Sequence, residues 1–453
     1  MNKKILLISA NRLHDPYPIY PIGISYLATY LKKSLPGIEI LTFDMNRGTS
    51  EELASIIVAQ KPDYIGVSIR NIDGANSFDQ KSFIPDYEEI TIIVKKNSSA
   101  PLILGGAGFS LYPKILFDRL NADFAVKGEG EKALTELITC LETGSDYSAI
   151  EGLIYRKNGV IVLNQRTSFS TSLTVNYEPD LVDWYWQHSG MLNIQTKRGC
   201  YHRCVYCSYP LIEGRRVRTL ETEEVIDNIE RLLREKNINY VFFTDSLFNI
   251  DRRNTMELAE TIIRRGLKVN WAAYFSPSNL TDEELALYKR SGLTHIEFGT
   301  ESFCDEQLRN YGKDFDFETV LKTSELALKN NIFYAHFMIL GGYGETDATL
   351  AETFENSRLL RYTVIFPFVG MRIYPGTALQ QYAIRDGVIA ADDDLLEPRY
   401  YISRNFEPST LKARAQATGK AWVFPDDISE TEMQAFRLKR NKKGLIWEYL
   451  RKP

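Results

Sequence analysis

Residues 192–207 read Leu-Asn-Ile-Gln-Thr-Lys-Arg-Gly-Cys-Tyr-His-Arg-Cys-Val-Tyr-Cys, a short apolar run that ends in a glycine and leads at once into Cys200, Cys204 and Cys207. Three thiols separated by three and then two residues can wrap a metal centre. Three protein ligands leave one iron of a 4Fe-4S cluster without a thiolate, which is the open position that substrate binding at a cluster needs. A cluster that only carries electrons would want a fourth cysteine. The chain has five cysteines in all, and Cys140 and Cys304 have no partner at ligand spacing. A structural zinc site completed by His202 or His188, or three buried free cysteines, are the other readings of the same residues.

Working outward, β-rich runs alternate with helical stretches of ten to twenty residues: Leu192–Gly199, then YVFFTDS (240–246), VNWAAYF (269–275), HIEFGTES (295–302), FYAHFMILGG (333–342) and VIFPFVGMRIYPGT (364–377). Six such units fit a full or partial (β/α)6 barrel of the TIM type over residues 191–380, and barrel active sites lie at the carboxyl ends of strands, where the cysteine loop must sit. Upstream, KKILLIS, IEILTFD, YIGVSIR, PLILGGAG and ADFAVKGEG alternate with amphipathic helices over residues 1–140, the rhythm of a doubly wound, Rossmann-like α/β domain. Residues 141–190 break the rhythm with a hairpin-like GLIYRKNGVIVLN and a polar, aromatic stretch, and read as a linker. Residues 381–453 read as a small helical accessory region.

Hydrophobic residues make up 44% and charged residues 25%, with a formal net charge of −5. This is the balance of a globular protein with ample core, and it gives no overall electrostatic case for a nucleic-acid partner. The local exceptions are Arg215, Arg216 and Arg218, and a basic tail from Arg437 to Lys443. The apolar start ends within about five residues, too short for a signal-peptide core or a spanning helix. A cytoplasmic protein without a membrane span is expected, and thiols used as metal ligands fit a reducing compartment.

The carboxyl ends of the first five strands are rich in small residues. They carry Pro21 and Gly23, Arg70-Asn71-Ile72-Asp73-Gly74, Gly105-Gly106-Ala107-Gly108 and Gly128-Glu129-Gly130-Glu131. Ligands of doubly wound sheets bind beyond these ends. In the barrel, Phe243-Thr244-Asp245-Ser246, Gly299-Thr300-Glu301-Ser302, the glycine-rich Leu340–Glu345 and Arg372–Gly376 end successive strands. A carboxylate such as Glu301 suits ribose hydroxyls, and glycines admit a ligand to the backbone.

With these motifs the chain resembles the radical S-adenosylmethionine (SAM) superfamily over residues 190–377, and over residues 1–140 the cobalamin-binding domain that precedes the barrel in one large subfamily. The resemblance implies a 4Fe-4S cluster on Cys200, Cys204 and Cys207. It implies SAM contacts from Tyr206, Asp245, Ser246, Glu301, Gly341, Gly342 and Arg372, although the usual Gly-Gly-Glu wording is absent. It also implies cobalamin against Pro21, Gly23, Arg70, Asn71, Gly105, Gly106, Gly128 and Glu129, without histidine ligation of cobalt because no Asp-x-His-x-x-Gly loop is present. Arg70 or Asn71 is expected at the lower face of the corrin.

The implied chemistry is carbon methylation: a 5′-deoxyadenosyl radical abstracts hydrogen from an unactivated carbon, and methylcobalamin supplies the methyl group. The wording around Arg70–Asp73 and Gln195–Cys200 looks like a subgroup associated with lipid biosynthesis, so a small-molecule or lipid-like substrate is expected. An electron donor such as flavodoxin or ferredoxin is the implied partner. Cyclisation or rearrangement without methyl transfer is the nearest rival. An RNA- or peptide-modifying enzyme steered by Arg215, Arg216 and Arg218, or a cofactor sensor, stand further off.

Overall fold

A computed structural model describes residues 3–14, 16–170, 174–404, 406–427, 430–440 and 442–452. Two seven-stranded sheets organise the chain.

The first sheet contains β1 (Lys4–Ser9), β2 (Glu39–Asp44), β3 (Tyr64–Ser68), β4 (Leu102–Gly105), β5 (Phe124–Val126), β6 (Leu153–Lys157) and β7 (Val160–Leu163), in the order β2-β1-β3-β4-β5-β6-β7. Its first five strands are parallel, as the alternation predicts. Strands read as short apolar runs because both faces are covered: Ile5, Leu6, Leu7 and Ile8 are all buried. The strand order reverses at β1, so the crevice beyond β1 and β3 is the switch point where ligands of this topology sit. The hairpin at 153–163 does not belong to a free linker. It pairs antiparallel with β5 and extends the first sheet, because the apolar Leu153–Tyr155 complete the face left open beside β5.

The second sheet runs β18-β15-β14-β13-β12-β11-β8 and every pairing in it is parallel. Its members are β8 (Leu192–Ile194), β11 (Tyr240–Phe243), β12 (Asn270–Phe275), β13 (Leu293–Glu301), β14 (Phe333–Leu340), β15 (Val364–Val369) and β18 (Ala421–Trp422). The six expected barrel strands are present in the expected order. The seventh comes from the region read as accessory: β18 pairs with β15, burying Trp422 against Phe354. Two short antiparallel pairs, β9 (Lys197–Arg198) with β10 (Arg218–Thr219) and β16 (Met371–Arg372) with β17 (Tyr400–Tyr401), tie down the loops at the barrel mouth.

The carboxyl-terminal turn, Trp447–Leu450, fills the opposite end of the barrel. Leu445 and Trp447 pack with Tyr240, Phe242, Ala272, Ala335 and Val364, and Thr363 bridges Lys452. No helix among the described residues is long and apolar enough to cross a membrane.

Candidate active site

The cysteine loop is shaped by its glycine and its neighbours. Gly199 has φ +90°, and a Cβ there would lie 2.2 Å from the Arg216 carbonyl oxygen, so only glycine lets the returning strand close over the loop. The Cys200 amide donates to Gly214 O at 3.1 Å and the Gly199 amide to the Glu213 carboxylate at 2.9 Å. Within the loop, the Val205 amide donates to Tyr311 O and the Cys207 amide to Cys204 O. The three thiols lie close enough to repel one another electrically, and burial pushes Cys207 up to about 12 and Cys200 above the ordinary thiol range. Bound iron would reverse this, since a coordinating thiol is deprotonated outright.

Among the described residues no three Cys, His, Asp or Glu side chains close on a single point as one metal ion would require. His188 stacks on Trp184 and bonds its carbonyl oxygen, and His202 lies 3.7 Å from Asp314. Neither histidine stands with the three thiols as a fourth ligand among the described residues. A 4Fe-4S cluster makes a different demand, because each thiolate binds a different iron, and three thiols near one another on one loop suit it.

Next to the thiols stands Lys313, which sequence reasoning missed. Its Nζ donates to Gly299 O at 2.9 Å, lies 3.2 Å from Glu301 Oε1, and sits over the Tyr206 ring. Burial works against its charge, but Glu301 and Cys204 outweigh it and hold the ammonium above its ordinary range. The available signal was Gly312: with φ +74° it backs onto the cysteine loop, where a Cβ would meet Arg203 O at 2.7 Å.

Tyr206 donates its hydroxyl to Glu301 Oε1 at 2.7 Å, so two of the expected SAM residues are brought together. Glu301 has φ +69° at a register shift in β13, an unusual conformation for a residue with a side chain and the kind of strain that collects at functional sites. Ser246 reaches Gly199 O at 3.3 Å beside the loop.

Other expected contacts are engaged elsewhere. Asp245 is sealed, accepting from the Thr196 and Lys197 amides, the Thr196 hydroxyl and Lys197 Nζ at 3.0 Å, so it positions the segment before Cys200. Arg372 turns to the first domain, pairing with Asp73 at 2.8 Å and Tyr112 at 3.1 Å. The space beside Gly341 and Gly342 is filled by the Phe406 ring and the Tyr311 hydroxyl, so these glycines serve packing.

Between the first sheet and the barrel mouth lies a cavity. Pro21, Gly23, Arg70, Gly105, Gly106, Gly128 and Glu129 line one side, and Asn193, Gln195, Arg198, Tyr209, Glu213, Phe242, Thr244 and Tyr274 line the other. Every residue expected at cobalamin is there except Asn71, whose carbonyl oxygen instead accepts from Tyr87. Arg70 makes no ion pair and no side-chain hydrogen bond among the described residues, leaving its guanidinium free in the cavity. Glu129 is committed: it lies 2.6 Å from Arg218 and 3.4 Å from Arg198, and Glu131 takes Arg198 at 3.0 Å. These pairs fasten the two domains around the cavity. They also take Arg218 out of any polyanion-steering patch.

The residues present fit a corrin. At Gly23 a Cβ would meet nothing within 4 Å and at Gly105 nothing nearer than 3.7 Å, so the sheet edge is open there, while Gly106 and Gly128 bring bare backbone to the cavity; the opposite wall carries polar groups and aromatic faces.

Comparison with known proteins agrees. The B12 binding domain family matches residues 8–138 and the radical SAM superfamily matches residues 194–356, so the chain carries both domains in that order. An uncharacterized methyltransferase of Pyrococcus horikoshii is 24% identical, spanning 95% of this chain and 94% of its own length. Tryptophan 2-C-methyltransferase of Streptomyces laurentii is 24% identical over 82% of this chain and 73% of its own. The solved structure of TsrM from Kitasatospora setae, a radical S-adenosylmethionine methyltransferase with cobalamin and a [4Fe-4S] cluster bound, superposes with a TM-score of 0.83 at 23% identity, covering 94% of this chain and 90% of that one.

Proposed function

We propose that this chain, a B12-binding domain joined to a radical SAM domain, is a cobalamin-dependent radical SAM methyltransferase acting on a carbon of a small-molecule substrate. The observation that carries this reading is the shared cavity: the glycine-lined edge of the first sheet faces Gln195 and Tyr209, which flank the three-thiol loop on either side. The methyltransferase relatives that match along most of the chain support it.

Cys200, Cys204 and Cys207 would hold the cluster, Tyr206, Ser246, Glu301 and Lys313 would surround SAM, and Pro21, Gly23, Arg70, Gly105, Gly106 and Gly128 would hold cobalamin. When bound, the cluster supplies an electron to SAM and cobalamin carries the methyl group. The protein's own part is binding, orientation and exclusion of water. Lys313 places a buried positive charge beside the thiolates and beside Glu301, which lowers the cost of gathering sulfur anions in one loop. The Glu129–Arg218 and Asp73–Arg372 pairs keep the two walls at a fixed separation. Arg70 offers the corrin a donor and no ligand for cobalt.

The test is an anaerobic reconstitution with iron, sulfide and cobalamin, followed by SAM labelled in its methyl group. With a reductant present to reduce both the cobalamin and the cluster, labelled methylcobalamin and 5′-deoxyadenosine are both expected. Deoxyadenosine without labelled methylcobalamin would turn the reading toward cyclisation or rearrangement. The absence of both would end it.

A further inference from the structure

Inward-facing positions of the barrel change character with depth. On the rung formed by Gly299, Phe337 and Phe366 the side chains keep accessible surface, and Phe337 stacks on Phe366. One rung lower, Tyr274, Glu297, Ala335 and Val364 stand in register. Tyr274 is still 39% exposed and lines the central cavity, whereas Glu297 is only 3% exposed. Beneath them the Trp447 plug closes the barrel. These rungs make an aromatic-lined lumen that meets the cofactor cavity at Tyr274, and Glu297 is the acid on its floor.

One oxygen of Glu297 accepts the Trp447 indole N–H at 3.0 Å. The other, Oε2, has no hydrogen-bonding partner among the described residues, and it is not sealed as the unpartnered oxygens of Glu131, Glu345 and Glu448 are. No cation among the described residues offsets the buried charge. Burial raises its pKa to about 7, and only the Trp447 N–H opposes this. Arg437 is turned to the Gly444 carbonyl oxygen. A carboxylate kept at this cost, without a charge partner, on the floor of a chamber, has the features of a group that meets its partner in a ligand.

We infer that Glu297 anchors a substrate bearing an organic ammonium group, whose apolar or aromatic body rises along Tyr274, Phe337 and Phe366 toward the cofactors. Aromatic faces favour a cation as well as an apolar body, and a charge-assisted hydrogen bond to Oε2 would fix its depth. This rests on the methyltransferase reading of the same cavity, but it is tested by binding alone. Labelled methylcobalamin formation reports separately on that reading.

The experiment uses protein reconstituted with cluster, cobalamin and SAM, and measures calorimetric affinities for phenethylamine and tryptamine against their neutral counterparts 2-phenylethanol and tryptophol. The ammonium compounds are expected to bind about tenfold tighter, equivalent to about 1.4 kcal/mol. In Glu297→Gln, which keeps the side-chain volume and an acceptor for Trp447, the preference should vanish. Should that variant not fold, Trp447→Phe leaves the carboxylate without its orienting donor and should shrink the preference several-fold. Equal affinities in the unaltered protein, a preference that survives Glu297→Gln, or no binding of either amine at millimolar concentration would each overturn the inference.

Discussion

The two walls of the central cavity are built by opposite means. The first-sheet wall is made of missing side chains: at Gly106, φ is +106° and a Cβ would sit 2.3 Å from the Ile69 carbonyl oxygen. The barrel wall is made of side chains under tension. It presents Arg198 and Glu213 to the cavity, and behind it stand the three thiols with Lys313 and Glu301, and the sealed Lys197–Asp245 pair. A wall of backbone depends on close main-chain approach and has no charges to match. A wall of charges needs each group matched, and it fails when one is removed.

The sharpest way to break the comparison is on the barrel side. Cys204→Ala should remove one iron ligand and with it the cluster, abolishing deoxyadenosine formation while leaving cobalamin bound on the other wall. Visible spectra after anaerobic reconstitution and a corrin-retention assay check both halves together. Loss of cobalamin along with the cluster would mean that the walls are not independent.

Next in size is Asp245→Ala. Lys197 Nζ lies 3.0 Å from Asp245 Oδ2, with both side chains buried, and also meets the Thr196 hydroxyl and Phe248 O. Removing the acid leaves a buried ammonium without its counter-charge, which costs about 3–5 kcal/mol. Urea unfolding of the metal-free protein should show this as a lower midpoint. A change within about 0.5 kcal/mol, the range of an ordinary surface substitution, would show that the pair does not hold the segment before Cys200.

On the backbone wall the expected loss is smaller. Gly106 combines its φ with ψ 170°, a region used almost only by glycine, so Gly106→Ala should cost about 1–3 kcal/mol of strain. The collision with Ile69 would also shift the β4 edge. Weaker cobalamin retention with the cluster spectrum unchanged is the expected pattern, the mirror image of Cys204→Ala.

The same contrast decides what could be read beforehand. Strands and the cysteine loop announce themselves through periodicity and spacing, and glycine is informative wherever the backbone must come close, so seven of the eight residues expected at cobalamin line the cavity. Charged side chains carry no such local mark. Asp245, Arg372 and Glu129 all stand at strand ends in places a ligand could use, yet each found a partner that is distant in sequence: Arg372 and Asp73 are 299 residues apart. Lys313 was missed for the converse reason, because only the fold brings it to the thiols. The seventh barrel strand, two residues long, is too short for any periodicity to show.

A last effect, read through pH, concerns Glu345, also on the barrel side. Its carboxylate accepts the Gly341 amide hydrogen, its Oε1 is sealed and unpartnered, and burial raises its pKa from 4.5 to about 8. Between about pH 4.5 and 8 the folded protein therefore keeps a proton that the unfolded chain gives up, so stability falls as pH rises and levels off above about 8. Glu297 adds a fall of the same sign, complete by about pH 7. Glu345→Gln cannot titrate, so its urea midpoint should decline less between about pH 5 and about pH 8.5 than that of the unaltered protein. Parallel declines would mean that Glu345 is ionised in the fold, and that the barrel rim holds its charge by a partner and not by burying a neutral acid.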